Sequence, residues 1–524
     1  MPDPLSFSDA LQKFWGYSEF RPGQEAIVRS IAAGHDTCVV MPTGGGKSLC
    51  YQLPAAMDSS RTAIVISPLI ALMQDQVAQL TQMGIPAALL NSTQRWAGRQ
   101  KTMVDAARGS FRLVYLSPEM AVQESSLAWL KQVPISFFAI DEAHCISEWG
   151  HEFRPEYRQL SRLRSLFPDT PVSAFTASAT QHVRHDIVEQ LHLRDAFCHV
   201  ASFRRTNLRY RVRLCDSESQ ETLLLDAVRA ASTGSVIVYV PTIARVAETV
   251  AFLGQNAIPS IGYHGKMDPA GRRSNQEKWM LDEPRVIVAT VAFGLGINKS
   301  SVRAVIHLAL PKSVEQFYQE AGRAGRDGLP SDCYLFWQKG DAAIHNFFIN
   351  QIVDPGEQSR ARLRYNEIRS FVESDSCRHH LICTHFGERS SLSRCSSCDN
   401  CLGLWRPAIS PKISVERKSR ERNRLSRSTR YTLQLLQAGK SFEEIAQTRG
   451  FSVRTITEHA SRLVEAGKCA YRHEWIPRQH FHQIEHACHK LGFERLKPLK
   501  DALPDEITYD EIRIAVAGLR ASSW

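Results

Sequence analysis

Two successive series of short apolar runs, each interleaved with helical patterns, limit what this chain can fold into. The first occupies residues 37–41, 63–66, 112–116, 137–140 and 172–175, and the second 235–240, 260–263, 285–289, 303–307 and 332–336. Strands buried on both faces read as continuous apolar runs, and helices between them supply the crossovers that parallel sheets require. Two series therefore predict two α/β lobes with a cleft between them. After Asp341 the pattern becomes helical and irregular, so further domains follow; a chain of 524 residues leaves room for them. The start, MPDPLSFSDALQKFWGY, lacks the basic, apolar and small-residue order of a secretory signal. The most apolar stretch, near 63–73, is short and interrupted by Ser67 and Pro68, which argues against a membrane span. A cytoplasmic protein is expected.

The first run leads into VVMPTGGGKS, where Thr43, Gly44, Gly45, Gly46, Lys47 and Ser48 read as a phosphate-binding loop opening a helix. Glycines let backbone N–H groups wrap a phosphate, and the helix N-terminus adds its positive end. Lys47 would neutralise the outer phosphates of ATP and Ser48 would hold Mg2+. The strict phosphate-loop spacing fails, because Met41 stands where its first glycine belongs. A second segment, SFFAIDEAHCISEWGHEFRPEY at 136–157, supplies what the loop lacks. Asp141, at the end of an apolar strand, fits a magnesium anchor, and Glu142 fits the residue that orients and deprotonates water. A cation for the γ-phosphate would come from QEAGRAGRDG, where Arg323 and Arg326 are expected three apart on one helical face of the second lobe.

Trp149, Phe153 and Tyr157 follow the carboxylates at spacings of four, mixed with His151 and Arg154. Such spacing suits a helix packing into a core, whereas exposed aromatics among cations suit stacking with single-stranded nucleic acid. Gly150, His151 and Arg154 interrupt the stripe and favour a loop. Farther on, Cys395, Cys398 and Cys401 lie in a C-x2-C-x2-C cluster, with Cys377 and Cys383 competing to be its fourth member. Clustered thiols in a reducing compartment point to structural zinc, with free thiols or an iron–sulfur cluster as the alternatives.

From Arg406 onward there are 22 Lys+Arg against 14 Asp+Glu, most of the chain's net charge of +10. That excess suits a polyanion-binding appendage, or simply a solvated basic surface. The run KISVERKSRERNRLSRSTR at 412–430 reads as a linker or an exposed basic helix. Next, Ser441 and Glu444 form a capping box, Gly450 turns the chain, and Ser452 caps a helix carrying Arg454, Thr455, Thr457 and His459. Two helices joined by a short turn predict a helix-turn-helix, with a bundle for protein contacts as the alternative.

In order, FWGYSEFRPGQ, MPTGGGKS, SPLIALMQDQV, YLSPE, DEAHCISEWGHEFRPEY, FTASAT, VATVAFGLGIN and YQEAGRAGRDG resemble the motifs of RecQ-family DNA helicases of superfamily 2, over about residues 7–405. The resemblance implies adenine recognition by Gln24 with Tyr17 and Arg21 nearby, and zinc ligation by Cys377 rather than Cys383. It implies DNA contact and coupling to hydrolysis by Trp149, His151, Phe153 and Arg154, and ATP-driven unwinding with 3′-to-5′ movement in DNA repair or recombination. The expected organisation is two RecA-like parallel-sheet lobes at 1–205 and 206–341 and a helical zinc-binding module at 342–405. A basic linker at 406–427 and an α-helical domain containing the helix-turn-helix at 428–524 complete it. The segment after Cys401 is too short for the winged helix that better-known members carry, so duplex capture falls to the C-terminal module or the linker. Expected partners are DNA, single-stranded or as tailed or forked duplex, and repair or replication proteins through the C-terminal domain. A translocase that does not separate strands, a DNA-binding regulator with a weak ATPase, and an RNA helicase are the rival readings.

Overall fold

The computed structural model describes residues 6–91, 94, 96–150, 152–294, 297, 299–389, 393–404, 427–449, 451–493 and 496–522. The expected basic linker at 406–427 therefore lies, but for its last residue, outside the described residues, as does His151. The chain divides into two compact units, Met1–Arg406 and Pro407–Trp524.

In the first unit, seven strands form one sheet: β1 (Thr37–Val40), β2 (Thr62–Ile66), β3 (Ala87–Leu90), β4 (Leu113–Leu116), β5 (Ile135–Ile140), β6 (Val172–Thr176) and β7 (Phe197–Val200). Their order is β3-β4-β2-β5-β6-β1-β7, and neighbours pair in parallel. A second parallel sheet comprises β8 (Leu208–Leu214), β9 (Ser235–Tyr239), β10 (Ser260–Tyr263), β11 (Val286–Ala289), β12 (Val302–His307) and β13 (Ser331–Trp337), in the order β10-β11-β9-β12-β13-β8. Strands β1, β2 and β4 are buried along their whole length, because helices cover both faces. Fully buried aromatics such as Tyr115, Phe138 and Phe175 anchor these cores, each worth about 1.5–3 kcal/mol of burial. Strands β5, β6 and β1 are adjacent, so the loops leaving their C-terminal ends meet on one side of the sheet, where parallel sheets bind ligands.

The β8 edge of the second sheet is covered rather than bare. Strand β8 accepts the helical segment after β13 as a lid: Asp399 Oδ2 accepts from Val212 N at 3.3 Å, Arg211 Nη1 donates to Ser397 O at 2.5 Å, and His379 Nε2 donates to Leu208 O at 3.1 Å. Covering an exposed row of backbone groups is one of the ways sheets avoid edge-to-edge pairing.

The second unit is helical and has its own core of Leu436, Ile445, Ile456, Leu463, Ile484, Ile512 and Val516. Helix Phe442–Arg449 begins at the expected capping box: Glu444 N donates to Ser441 Oγ at 3.2 Å, and Ser441 N donates to Glu444 Oε2 at 2.8 Å. Helix Val453–Glu465 begins at Ser452, whose side chain accepts from Thr455 N. Gly450, the expected turn residue, lies outside the described residues. Among the described residues no helix is long and apolar enough to cross a membrane.

Candidate functional site

The loop after β1 has the backbone that its glycines allow. Gly44 and Gly46 take φ of 82° and 84°, and Gly46 is the N-cap of helix Lys47–Met57. A Cβ on Gly46 would lie 2.3 Å from Gln24 Nε2, so only glycine fits there. Gln24 is buried against this loop: its Nε2 donates to Gly45 O at 3.2 Å and Gly46 O at 3.3 Å, and its Oε1 accepts from Arg21 N at 2.9 Å. Arg21 Nη1 donates to Gly44 O. Gln24 and Arg21 thus brace the phosphate loop, while Tyr17 is exposed. Lys47 Nζ donates to Met41 O at 3.2 Å. Burial pulls the Lys47 pKa down, while Glu142 and Asp141 act to hold its proton. Ser48 Oγ accepts from Gln76 Nε2 at 3.1 Å, and Gln76 Oε1 accepts from Tyr51 OH at 3.0 Å.

Asp141 and Glu142 leave β5 beside this loop. Asp141 is buried; its Oδ1 accepts from Glu142 N at 3.0 Å and its Oδ2 from Ser67 Oγ at 3.5 Å. Burial first, and then the Glu142 charge, push the Asp141 carboxyl up to about 7 against the pull of Lys47. Two adjacent carboxylates, one raised by burial, form a hard-oxygen donor set suited to Mg2+. Glu142 holds a left-handed backbone, φ 49°, and its Oε2 lies 3.2 Å from His144 Nδ1. His144 Nδ1 also lies 2.9 Å from Thr176 Oγ1, which accepts from Ser178 N at 3.3 Å. Ser178 Oγ in turn accepts from Gln319 Nε2, in the second lobe, at 2.8 Å. A polar chain thus runs from the carboxylates across to the segment that carries the arginines.

Those arginines do not share a helical face, as the sequence spacing had suggested. Helix Val314–Ala321 ends before them, and both lie in the turn that follows. Gly325, at φ 57°, takes a left-handed conformation that ends any helix. The two side chains consequently part. Arg323 is buried over Gly294 and donates to its carbonyl, within its own lobe. Arg326 reaches the phosphate loop: its Cγ lies 3.4 Å from where a Cβ on Gly44 would be. Burial, then the Arg323 and Arg205 charges, pull the Arg326 pKa down, opposed by Tyr239 and Glu142. Such crowding of cations suits an anionic ligand.

Arg205, which no local pattern marks, holds this arrangement together. It donates from Nη1 to Thr43 O at 2.8 Å and from Nη2 to Ala324 O at 3.2 Å and Gly325 O at 2.9 Å. Asn207 Nδ2 adds bonds to Gly325 O at 2.8 Å and Leu329 O at 3.0 Å.

The aromatic segment separates into two roles. Tyr157 is core: it is fully buried, and its hydroxyl donates to the Asp141 carbonyl at 2.8 Å. Trp149 is 47% exposed, edge-on to His182 at 5.0 Å, with the Arg360 guanidinium 5.9 Å from its ring centre. Phe153 is half-buried under Arg158, 5.4 Å away, and Arg154 pairs with Glu152 at 3.1 Å. Glu148 binds both Arg158 at 2.9 Å and Arg360 at 3.3 Å, tying helix Pro355–Glu373 to this loop. A Cβ on Gly150 would sit 2.6 Å from the His144 carbonyl oxygen, so glycine is required where the loop doubles back.

Cys377, Cys395, Cys398 and Cys401 bring their sulfurs within 4.8 Å of one another, and Cys383 is not in the group. The Cys395 and Cys401 sulfurs are 3.8 Å apart, the edge of a tetrahedron with zinc–sulfur arms of about 2.3 Å. Cys398 N donates to Cys395 Sγ at 3.2 Å and Cys395 N to Cys401 Sγ at 3.3 Å, bonds that would stabilise thiolate ligands. A buried Arg378–Asp399 pair, 3.0 Å, locks the cluster's flank. The donors fit Zn2+.

Four family models match successive parts of the chain. Residues 21–187 match the DEAD/DEAH box helicase family, 219–328 the helicase conserved C-terminal domain, 339–402 the RecQ zinc-binding family and 428–516 a helix-turn-helix domain family. The chain is 41% identical over 395 residues to the ATP-dependent DNA helicase RecQ of Pasteurella multocida, covering 75% of this chain and 62% of that protein. It is 38% identical over 393 residues to the protein of the same name from Bacillus subtilis, covering 75% of this chain and 66% of the relative. The chain thus spans less than two thirds of each relative's length. A crystal structure of the DUF1998 helicase MrfA bound to DNA and AMPPNP shares the fold, with a TM-score of 0.54 at 22% identity, covering 67% of this chain and 53% of that one.

Proposed function

We propose that this chain, which belongs to the RecQ family, is an ATP-dependent DNA helicase that couples hydrolysis to 3′-to-5′ translocation and duplex unwinding in DNA repair or recombination. One observation carries the reading. The segment that presents Trp149 to solvent also sends Tyr157 to the Asp141 carbonyl, so one continuous stretch touches both an exposed stacking surface and the carboxylate site.

In this reading Thr43, Gly44, Gly45, Gly46 and Lys47 cradle the ATP phosphates, and Tyr17, Arg21 and Gln24 border the nucleotide, with Arg21 and Gln24 acting through the loop they brace. Ser48 and Asp141 would hold Mg2+, which when bound neutralises charge on the phosphates. Glu142 positions the attacking water and takes its proton. Arg326 faces the γ-phosphate as an arginine finger, and Arg323 orders the turn that delivers it. Trp149, Phe153 and Arg154, with His151, contact single-stranded DNA. Cys377, Cys395, Cys398 and Cys401 hold Zn2+, which fixes the module covering β8. The helix-turn-helix captures duplex DNA, and the C-terminal domain also receives repair or replication proteins. The protein works in the cytoplasm on the nucleoid.

A second reading, translocation without strand separation, draws on the HTH match beginning at 428, close behind the zinc-binding match ending at 402. That interval cannot hold a winged helix. Strand displacement on a 3′-tailed duplex decides between the two. Unwinding that needs ATP and vanishes in Lys47→Ala supports the helicase. ATP consumption on that substrate without displacement supports the translocase.

A further inference from the structure

We propose that Cys38 and Cys198 form a peroxide-oxidisable dithiol, a modification site separate from the nucleotide and zinc sites. The two are register partners on adjacent parallel strands β1 and β7 and so project from the same face of the sheet. Neighbouring strands run about 4.8 Å apart, inside the Cα separation of about 4.4–6.8 Å that a disulfide spans. Among the described residues Cys198 is the one exposed cysteine, on an edge strand, and Cys38 lies buried behind it.

Both thiols line a cavity of about 430 Å³ together with Arg184, Gln181, Gly387 and Arg389. The cavity gives a small oxidant access to the pair, and the two arginines make it cationic. A hydrogen bond from Cys38, and then the Arg184 charge, hold the Cys198 thiol down at about 6. Cys50 and Cys333 are placed differently: burial pushes both up, Cys50 lies on helix Lys47–Met57, and the register neighbours of Cys333 are Val305 and Tyr210.

The chemistry balances with hydrogen peroxide as oxidant. The Cys198 thiolate attacks one peroxide oxygen; the O–O bond breaks, leaving a sulfenic acid and hydroxide. The Cys38 thiol attacks the Cys198 sulfur; the S–S bond forms, the S–O bond breaks, and the departing hydroxyl takes up the Cys38 proton as water. Two thiols lose two electrons and one peroxide is reduced. The arrangement pairs an exposed thiolate with a resolving thiol, the usual features of a sensor cysteine.

The test uses the full zinc-loaded chain exposed to a small excess of hydrogen peroxide, alkylated and digested with trypsin without reduction. Peptide 30–47 linked to peptide 195–204, reversed by dithiothreitol while zinc stays bound, is the expected product. Cys198→Ser abolishes the link, and Cys38→Ala leaves a sulfenic acid at Cys198 that dimedone captures. The proposal is overturned if Cys198 remains fully alkylatable, or if it is oxidised in the parent chain without linking to Cys38. Absence of dimedone capture at Cys198 in Cys38→Ala overturns the order of steps.

Discussion

Replacing Arg205 by alanine tests whether the lobes act as one site. Arg205 lies in the segment between β7 and β8 that joins the two sheets, and of its bonds to the phosphate loop and to the turn that carries the arginines, that to Thr43 O, 2.8 Å, is the one that crosses from the turn to the phosphate loop. Those to Gly322, Ala324 and Gly325 shape the turn itself. A hydrogen bond from a charged donor contributes about 1.5–3 kcal/mol. At about 1.4 kcal/mol per factor of ten, loss of the crossing bond lowers the population of the hydrolysis-competent arrangement by about 10- to 150-fold. We therefore expect kcat for single-strand-stimulated ATP hydrolysis to fall by that factor in Arg205→Ala. Affinity for a fluorescent ATP analogue, bound mainly by the first lobe, should change by less than about threefold, or about 0.7 kcal/mol. Arg205→Lys restores only part of the rate, because an ammonium cannot reproduce the planar fork. Steady-state turnover at saturating DNA and ATP, alongside analogue titration, reads both quantities. A kcat within about threefold of the parent, in a variant with an unchanged unfolding midpoint, would refute the assignment.

Trp149→Ala should reduce stimulation of ATPase by single-stranded DNA while leaving nucleotide affinity intact, since a stacked base contributes about 1–3 kcal/mol; unchanged stimulation sinks the coupling role. Arg378→Ala leaves Asp399 buried without its cation and should cost about 3–5 kcal/mol, read as a lower thermal midpoint with faster zinc loss to a chelator. His385 lies 2.7 Å from Glu315, with Glu367 beside both. Burial disfavours its charged form, but Glu315 outweighs that and raises its pKa above the ordinary value. The stabilisation is therefore complete below about pH 6.5 and lost as pH rises through the raised folded value. Urea midpoints of the parent should fall across that window relative to His385→Gln, and parallel profiles would exclude the pair.

The ten strands expected from sequence all form, and β3, β7 and β8 form besides. All three are sheet edges. A continuous apolar run marks strands buried on both faces. Strands β7 and β8 do not show it: Arg209, Arg211 and Arg213 alternate along β8, and alternate residues of β7 are exposed, whereas β3 is apolar throughout (AALL) but only four residues long. The phosphate loop and carboxylates were legible because their chemistry depends on neighbours in sequence. Arg205 was not, because the loop and turn carbonyls it binds lie 117–162 residues away and its role exists only after the lobes meet. Spacing also misled at Arg323 and Arg326, where it presumed a helix that Gly325 ends. At the aromatic stripe, one periodicity held both a core residue, Tyr157, and an exposed one, Trp149. Spacing could not separate them, because burial is decided by what packs from outside the segment.

Glu142 is where these threads converge. Its left-handed backbone is of the kind that costs about 1–3 kcal/mol and persists only where neighbours impose it. Two supports act on this short stretch. Tyr157 holds the Asp141 carbonyl, one residue before, from the aromatic side. His144, Thr176 and Ser178 carry contact from the Glu142 side chain to Gln319 of the other lobe. A shift of the aromatic loop disturbs the first support, and parting of the lobes breaks the second. In the proposed mechanism, hydrolysis at Glu142 requires both a correctly seated loop and a closed cleft. Neither condition alone suffices in that mechanism, so the proposed motor would not consume ATP off its track.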